Sequence, residues 1–226
     1  MQMDDDTRDM ARRCYGYGRW DAPYWFIGPE QGMAQHENDD LKLRVEAWLH
    51  FGGPELCDCH AFHGRIGQKQ WHQDTPRLQS TWRPLMLLLM TFLGKRADND
   101  SLRAYQRDRW GRLSGGETCV IELSGLAANN STVLRERDLF RRERIEVIRQ
   151  RILVYKPALV VMYGVNEKDH WEQVVGRSFP PGGVLNLGST IVAFTPHPTS
   201  HGLPNAYWIE LGEQLRQKAN PSQPAQ

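Results

Sequence analysis

The chain has 226 residues, 40% apolar and 24% charged, with a formal net charge of +1. That is an ordinary globular profile with room for one sizeable core, and it excludes a globally basic nucleic-acid binder, so any such contact must rest on a local patch. The longest apolar run, residues 85–93, is too short to span a bilayer, the acidic opening MQMDDDTRDM is unlike a signal peptide, and the four cysteines lack a disulfide framework's spacing; a cytoplasmic protein without a membrane partner is expected.

Residues 1–14 read as a polar lead-in, and 24–27 as a short strand running into the loop Gly28-Pro29-Glu30-Gln31-Gly32. Leu41, Val45, Trp48 and Leu49 have helical spacing and predict a helix over 41–51, closed by Gly52-Gly53-Pro54. Residues 57–83 are rich in His, Gln and Trp and read as loop with short helices. An apolar helix follows over 83–93, then a more polar one over 98–110. Further strands are expected at 118–123, 158–163 and 190–194, a long charged helix at 134–154 closed by Pro157, and a last helix at 206–217 before a tail over 218–226 expected to be disordered. The charged helix interleaves Arg135, Arg137, Arg141, Arg142 and Arg144 with Glu136, Asp138, Glu143 and Glu146. This pattern reads as a solvated face ahead of a phosphate track.

Strands that are apolar throughout and alternate with helices point to a mostly parallel sheet covered on both faces. Ligands of such sheets bind beyond the carboxyl ends of the strands. The loops to inspect are therefore 28–32, 124–132, 164–166 and 196–202. A chain that ends a core strand in a polar loop bounded by glycines brings its backbone close to something there.

Two of these loops, IGPEQG (27–32) and PHPTSHG (196–202), together with NNST, the long helix, Pro157 and the strand ending in Gly164, resemble the uracil-DNA glycosylase superfamily over residues 15–215. The resemblance implies a single domain over 15–217, a three-layer α/β/α sandwich around a central, mostly parallel four-stranded sheet. It also implies a monofunctional, monomeric DNA glycosylase that flips a base and needs no cofactor. Glu30 matches the position of the water-activating residue, usually Asp or Asn, and His197 that of the histidine at the base O2. Cleaving an N-glycosidic bond builds positive charge on the sugar and negative charge on the base, which suits a carboxylate at one and a donor at the other.

Glu122 matches the base-reading position, where an Asn pairs with uracil; a register slip of one or two residues would put Leu123 or Ser124 there. A carboxyl accepts from the cytosine N4 amino group and, protonated, donates to N3. Gly32 matches a position where a Tyr in the uracil-specific branch walls off C5, and it leaves that wall absent; Gln31 adjoins it in the base-recognition loop. A bulky 5-modified cytosine, of the kind found in phage DNA, is the expected substrate, with phage defence as the role and residues 60–82 as the reader of the C5 group. Repair of uracil or hypoxanthine is the alternative, and a non-catalytic nucleic-acid-binding module the rival of another class. Asn129, Asn130 and Ser131 are DNA-contact candidates, as are Ser200, His201 and Leu203, of which His201 or Leu203 could fill the gap left by a flipped base.

CDCHAFH (57–63) raises a metal reading through Cys57, Cys59, His60 and His63, and with it a zinc hydrolase built on 57–72. Its spacings fit no standard finger, and no metal is expected. An iron–sulfur cluster, carried by some superfamily branches, is not expected either, since Tyr17 stands where the second early Cys would be.

Overall fold

A computed structural model describes residues 4–30, 37–125 and 131–220, with the backbone alone for 37–39 and 131–139. Seven strands form one sheet: β1 (Gly16–Gly18), β2 (Tyr24–Glu30), β3 (Leu56–Cys57), β4 (Thr118–Ser124), β5 (Leu159–Tyr163), β6 (Val184–Leu187) and β7 (Thr190–Thr195), in the order β3-β1-β4-β2-β5-β7-β6. The expected sheet of four strands is thus seven-stranded. The four anticipated strands are adjacent and mutually parallel at its centre, while β1 and β6 run antiparallel to β4 and β7.

Eight helices are described: α1 (Asp5–Arg13), α2 (Glu37–His50), α3 (Cys59–Arg65), α4 (Trp82–Phe92), α5 (Asn99–Asp108), α6 (Ser131–Tyr155), α7 (Lys168–Val175) and α8 (Asn205–Ala219). One apolar cluster joins Phe26, Val120, Val161 and Ala193 to residues of α2, α3, α4, α5 and α8. The other joins Trp25, Ile27, Ile121, Val160 and Val192 to Ile145, Ile148, Trp171 and Val174 of α6 and α7. Adjacent strand residues feed opposite clusters, as a pleat buried on both faces requires. Each fully buried Val, Leu or Ile contributes roughly 1.5–3 kcal/mol. No described helix is long and apolar enough to cross a membrane.

Several boundaries differ from the sequence reading. Residues 5–13, read as polar lead-in, form α1, capped by Asp4 accepting from the Thr7 amide at 2.7 Å and anchored by buried Met10 and Ala11. The strand expected to stop at Ile27 continues to Glu30, still paired to β4. β1 went unread because YGYG has two glycines, poor strand formers. Here they are required: with φ of +147° and +93°, a Cβ at Gly16 or Gly18 would lie 2.2 and 2.0 Å from the Val120 and Thr118 carbonyl oxygens. The solvated-face reading of the charged helix fails for Arg141 and Arg144, which are buried, and holds for exposed Arg142 and Glu143. The last helix reaches Ala219, and the tail expectation for 221–226 lies outside the described residues.

Candidate active site

The carboxyl ends of the four central strands carry the candidate chemistry: Glu30 on β2, Glu122 on β4, Tyr163 on β5, and His197 two residues beyond β7. Gly28 sits opposite Glu122 and Glu30 opposite Ser124, so both carboxylates leave the same face of neighbouring strands. Phe26, Val120 and Tyr163 show this to be the face covered by α4 and α8.

Glu122 keeps some exposed surface, yet its Oε2 is fully covered and completes no hydrogen bond. Its Oε1 is 3.5 Å from the Tyr163 hydroxyl, which donates to it. Burial pushes the Glu122 carboxyl up to about 8, opposed by the Arg144 charge and reinforced by the neighbouring Glu30 charge. The group is therefore largely protonated at neutral pH, with the proton on the covered Oε2 and Oε1 facing the Tyr163 hydroxyl. Tyr163, 2% exposed, is held well above its ordinary pKa by burial and stays a hydroxyl donor. Its ring packs edge-on against His197, centroids 5.4 Å apart, and so links the base-reading and O2-facing candidates.

His197 Nδ1 receives two contacts from Thr199, the hydroxyl at 2.8 Å and the backbone N–H at 3.3 Å. With Nδ1 accepting, the ring proton belongs on Nε2, and burial lowers the pKa so that the ring is neutral. His197 thus presents one N–H.

Gly28 makes this arrangement fit. A Cβ there would lie 2.2 Å from Glu122 Oε2 and 2.3 Å from Tyr163 Oη. The close approach expected at this loop is, at Gly28, an approach to two site side chains. Gly28→Ala should cost roughly 1–3 kcal/mol through overpacking, read from the urea midpoint. A wild-type midpoint would show that the three groups are not this close.

Arg144, not singled out in the sequence, braces the site from below. Its guanidinium donates to the carbonyls of Ala11 (3.1 Å), Cys14 (2.8 Å), Tyr15 (3.4 Å) and Glu122 (2.8 Å). Its interleaving with acidic residues on a charged helix concealed this role. Tyr163 was also missed; its position as the last residue of a buried strand, just before a glycine, was the available signal.

Among the other candidates, Gln31, Gly32, Asn129 and Asn130 lie outside the described residues, and so does the Ser131 side chain, although Ser131 opens α6. Ser200 and His201 are exposed, while Leu203 is partly buried against the cluster under α8. In the 60–82 segment, proposed to face a C5 group, His63 and His72 are buried instead. Gln106 straps this segment down by donating to the Trp71 and Arg77 carbonyls at 2.8 and 2.9 Å.

The metal candidates divide. Cys57 shares a hydrogen bond with Cys14, and His60 lies 2.8 Å from Arg112 Nη1. Cys59 and His63 instead converge with His72. Burial holds both imidazoles neutral, lowering His63 to about 3 and His72 to about 4. Compared with protein-family models and with curated proteins, the sequence finds no match.

Proposed function

We propose that the protein is a DNA glycosylase of the uracil-DNA glycosylase superfamily that removes a bulky 5-modified cytosine. The four inner parallel strands are read as the superfamily's core sheet, with β1, β3 and β6 added at its edges. As the C1′–N1 bond lengthens, the Glu30 carboxylate steadies the sugar cation and takes a proton from the water that adds to C1′. His197 Nε2–H donates to O2 of the departing base, which leaves as a stabilised anion and is then protonated by solvent.

The observation that carries this reading is the neutral carboxyl of Glu122, with a donor at Oε2 and an acceptor at Oε1. Cytosine offers the complementary pair, an acceptor at N3 and a donor at N4. His197 supplies the third contact, at O2. Gly32 adds no side chain to obstruct a C5 substituent. Sparing plain cytosine then depends on contacts with that substituent, and invading phage genomes carrying such bases are the proposed target. Uracil repair is the second reading, favoured by the same carboxyl, since exchanging its donor and acceptor oxygens would suit N3–H and O4. The Tyr163 hydroxyl, 3.5 Å from Oε1, favours that oxygen as the acceptor and supports the cytosine pairing.

The test is a competition between duplexes containing glucosylated hydroxymethylcytosine, plain cytosine and uracil, scored as abasic sites. Preferential release of the modified base is expected, with single-turnover rates falling on the order of 10²-fold in Glu30→Ala and His197→Ala. Faster release of uracil returns the protein to repair. No abasic sites on any duplex leaves a binding module.

A further inference from the structure

The helical layer over β1 holds a second cluster, formed by Cys59 at the start of α3, His63 one turn later, and His72 at the end of the short 3-10 turn Lys69–Trp71. None of the three is more than 4% exposed. Cys59 Sγ is 3.4 Å from His63 Nδ1 and 3.7 Å from His72 Nε2, and the two ring nitrogens are 3.2 Å apart. Three soft or borderline donor atoms therefore lie within 3.7 Å of one another.

The edges of that triangle have a meaning. A tetrahedral zinc ion with bonds of about 2.3 Å to sulfur and about 2.05 Å to nitrogen separates S and N ligands by about 3.6 Å and two N ligands by about 3.4 Å. The two S···N distances, 3.4 and 3.7 Å, bracket the first value, and the N···N distance of 3.2 Å is close to the second. A thiolate with two imidazoles is a donor set that zinc takes. We propose that Cys59 Sγ, His63 Nδ1 and His72 Nε2 bind a zinc ion, with a water molecule completing the tetrahedron.

Binding ejects the thiol proton as the Zn–S bond forms, while the neutral imidazoles lend lone pairs without further proton loss. His72 Nδ1 is buried and completes no hydrogen bond, while the Gln106 backbone lies beside the ring. Holding the proton there leaves Nε2 free for the metal, the tautomer that outer-shell carbonyls select in metal sites.

The competing arrangement is a hydrogen-bonded trio in which His63 Nδ1–H points at the Cys59 carbonyl 2.8 Å away. That trio leaves the Cys59 thiol with His72 Nε2 at 3.7 Å and no further use for the lone pair of His63 Nδ1. Aromatic neighbours close the site: the Trp82 ring centroid is 5.3 Å from that of His63 and 6.0 Å from that of His72. An ion held by ligands so covered would clip α3 to the turn before α4. Among the described residues no fourth His, Cys, Asp or Glu joins the set.

The test uses the untagged full chain, so that no affinity tag binds metal, and it does not depend on glycosylase activity. Mass spectrometry of the purified protein should find about one zinc per chain, falling below about a tenth in Cys59→Ser and in His72→Ala, and unchanged in His60→Ala. Cobalt added to chelator-stripped protein should give visible d–d bands and a thiolate charge-transfer band, the latter lost in Cys59→Ser. Stripping should lower the melting temperature, and zinc should restore it. Wild-type protein that holds no zinc from zinc-supplemented medium and gives no cobalt spectrum overturns the proposal, as does full zinc content in a Cys59→Ser/His72→Ala double variant. The wild-type measurements decide the matter even if the variants do not fold.

Discussion

Glu122→Gln should make the protein more stable at neutral and alkaline pH and flatten its pH dependence. In the unfolded chain the carboxyl loses its proton near its ordinary value of 4.5, whereas in the fold it keeps the proton until about 8. Between those values the folded state binds the extra proton, so stability falls as pH rises. Below the lower value both states are protonated and no penalty exists. Above the upper value the penalty is complete, on the order of 4 kcal/mol, since part of the residue still touches water and softens the full shift. Glutamine stays neutral throughout and removes the penalty. Urea unfolding of both proteins at roughly pH 5 and pH 9 measures it, and the gap between them should open at the higher pH. Parallel profiles would mean that Glu122 ionises normally in the fold, and would remove the donor on which cytosine recognition depends. Under the proposed function, wild-type base release should also decline as pH rises through about 8.

The central strands were legible because their burial is two-sided. The runs at 158–163 and 191–194 are apolar at every position, and no other common element of that length needs such a run. The edge strands were not. β3 has two residues, β6 has one strongly buried position among four, and β1 carries glycines demanded by the carbonyls of β4. Their placement is set by partners far away in sequence, which local pattern cannot express. Helix α7 was missed between two loops because only Trp171, Val174 and Val175 mark its inner face.

The site was legible by position and not by partner. Glu30, Glu122 and His197 could be chosen because strand ends are where such sheets place chemistry. The contact from Tyr163 to Glu122 Oε1 joins residues 41 apart and leaves no local trace. The metal candidates were grouped incompletely for the same reason. Proximity in sequence joins Cys57, Cys59, His60 and His63, whereas one helical turn joins Cys59 to His63 and only the folded chain brings in His72.

Arg144→Ala should destabilise the protein by about 3–5 kcal/mol, the range for breaking a buried charged hydrogen-bond network. The residue is 1% exposed, and its guanidinium lies 4.2 Å from the centroid of the Tyr15 ring. Four carbonyls receive its N–H groups, from Ala11, Cys14, Tyr15 and Glu122. The Tyr15 oxygen would keep the Glu122 amide, 3.0 Å away, but the other three would lose this donor inside the protein. Ala11 lies in the last turn of α1, where carbonyls have no partner within the helix, so Arg144 acts as that helix's cap. Lysine would not rescue it, because an ammonium cannot reproduce a fork that reaches four acceptors while stacking on a ring. Exposed Arg142, two residues earlier on α6, is the control and should lose under about 0.5 kcal/mol as alanine. Urea unfolding of the three variants at neutral pH decides the matter, and a loss at Arg144 as small as at Arg142 would remove the brace. The variant should also move its neighbour: Arg144 is the charge that holds the Glu122 carboxyl down against burial. Without it the stability loss between acid and alkaline pH should extend further upward, and Glu122→Gln should recover more stability in the Arg144→Ala background than in the wild type.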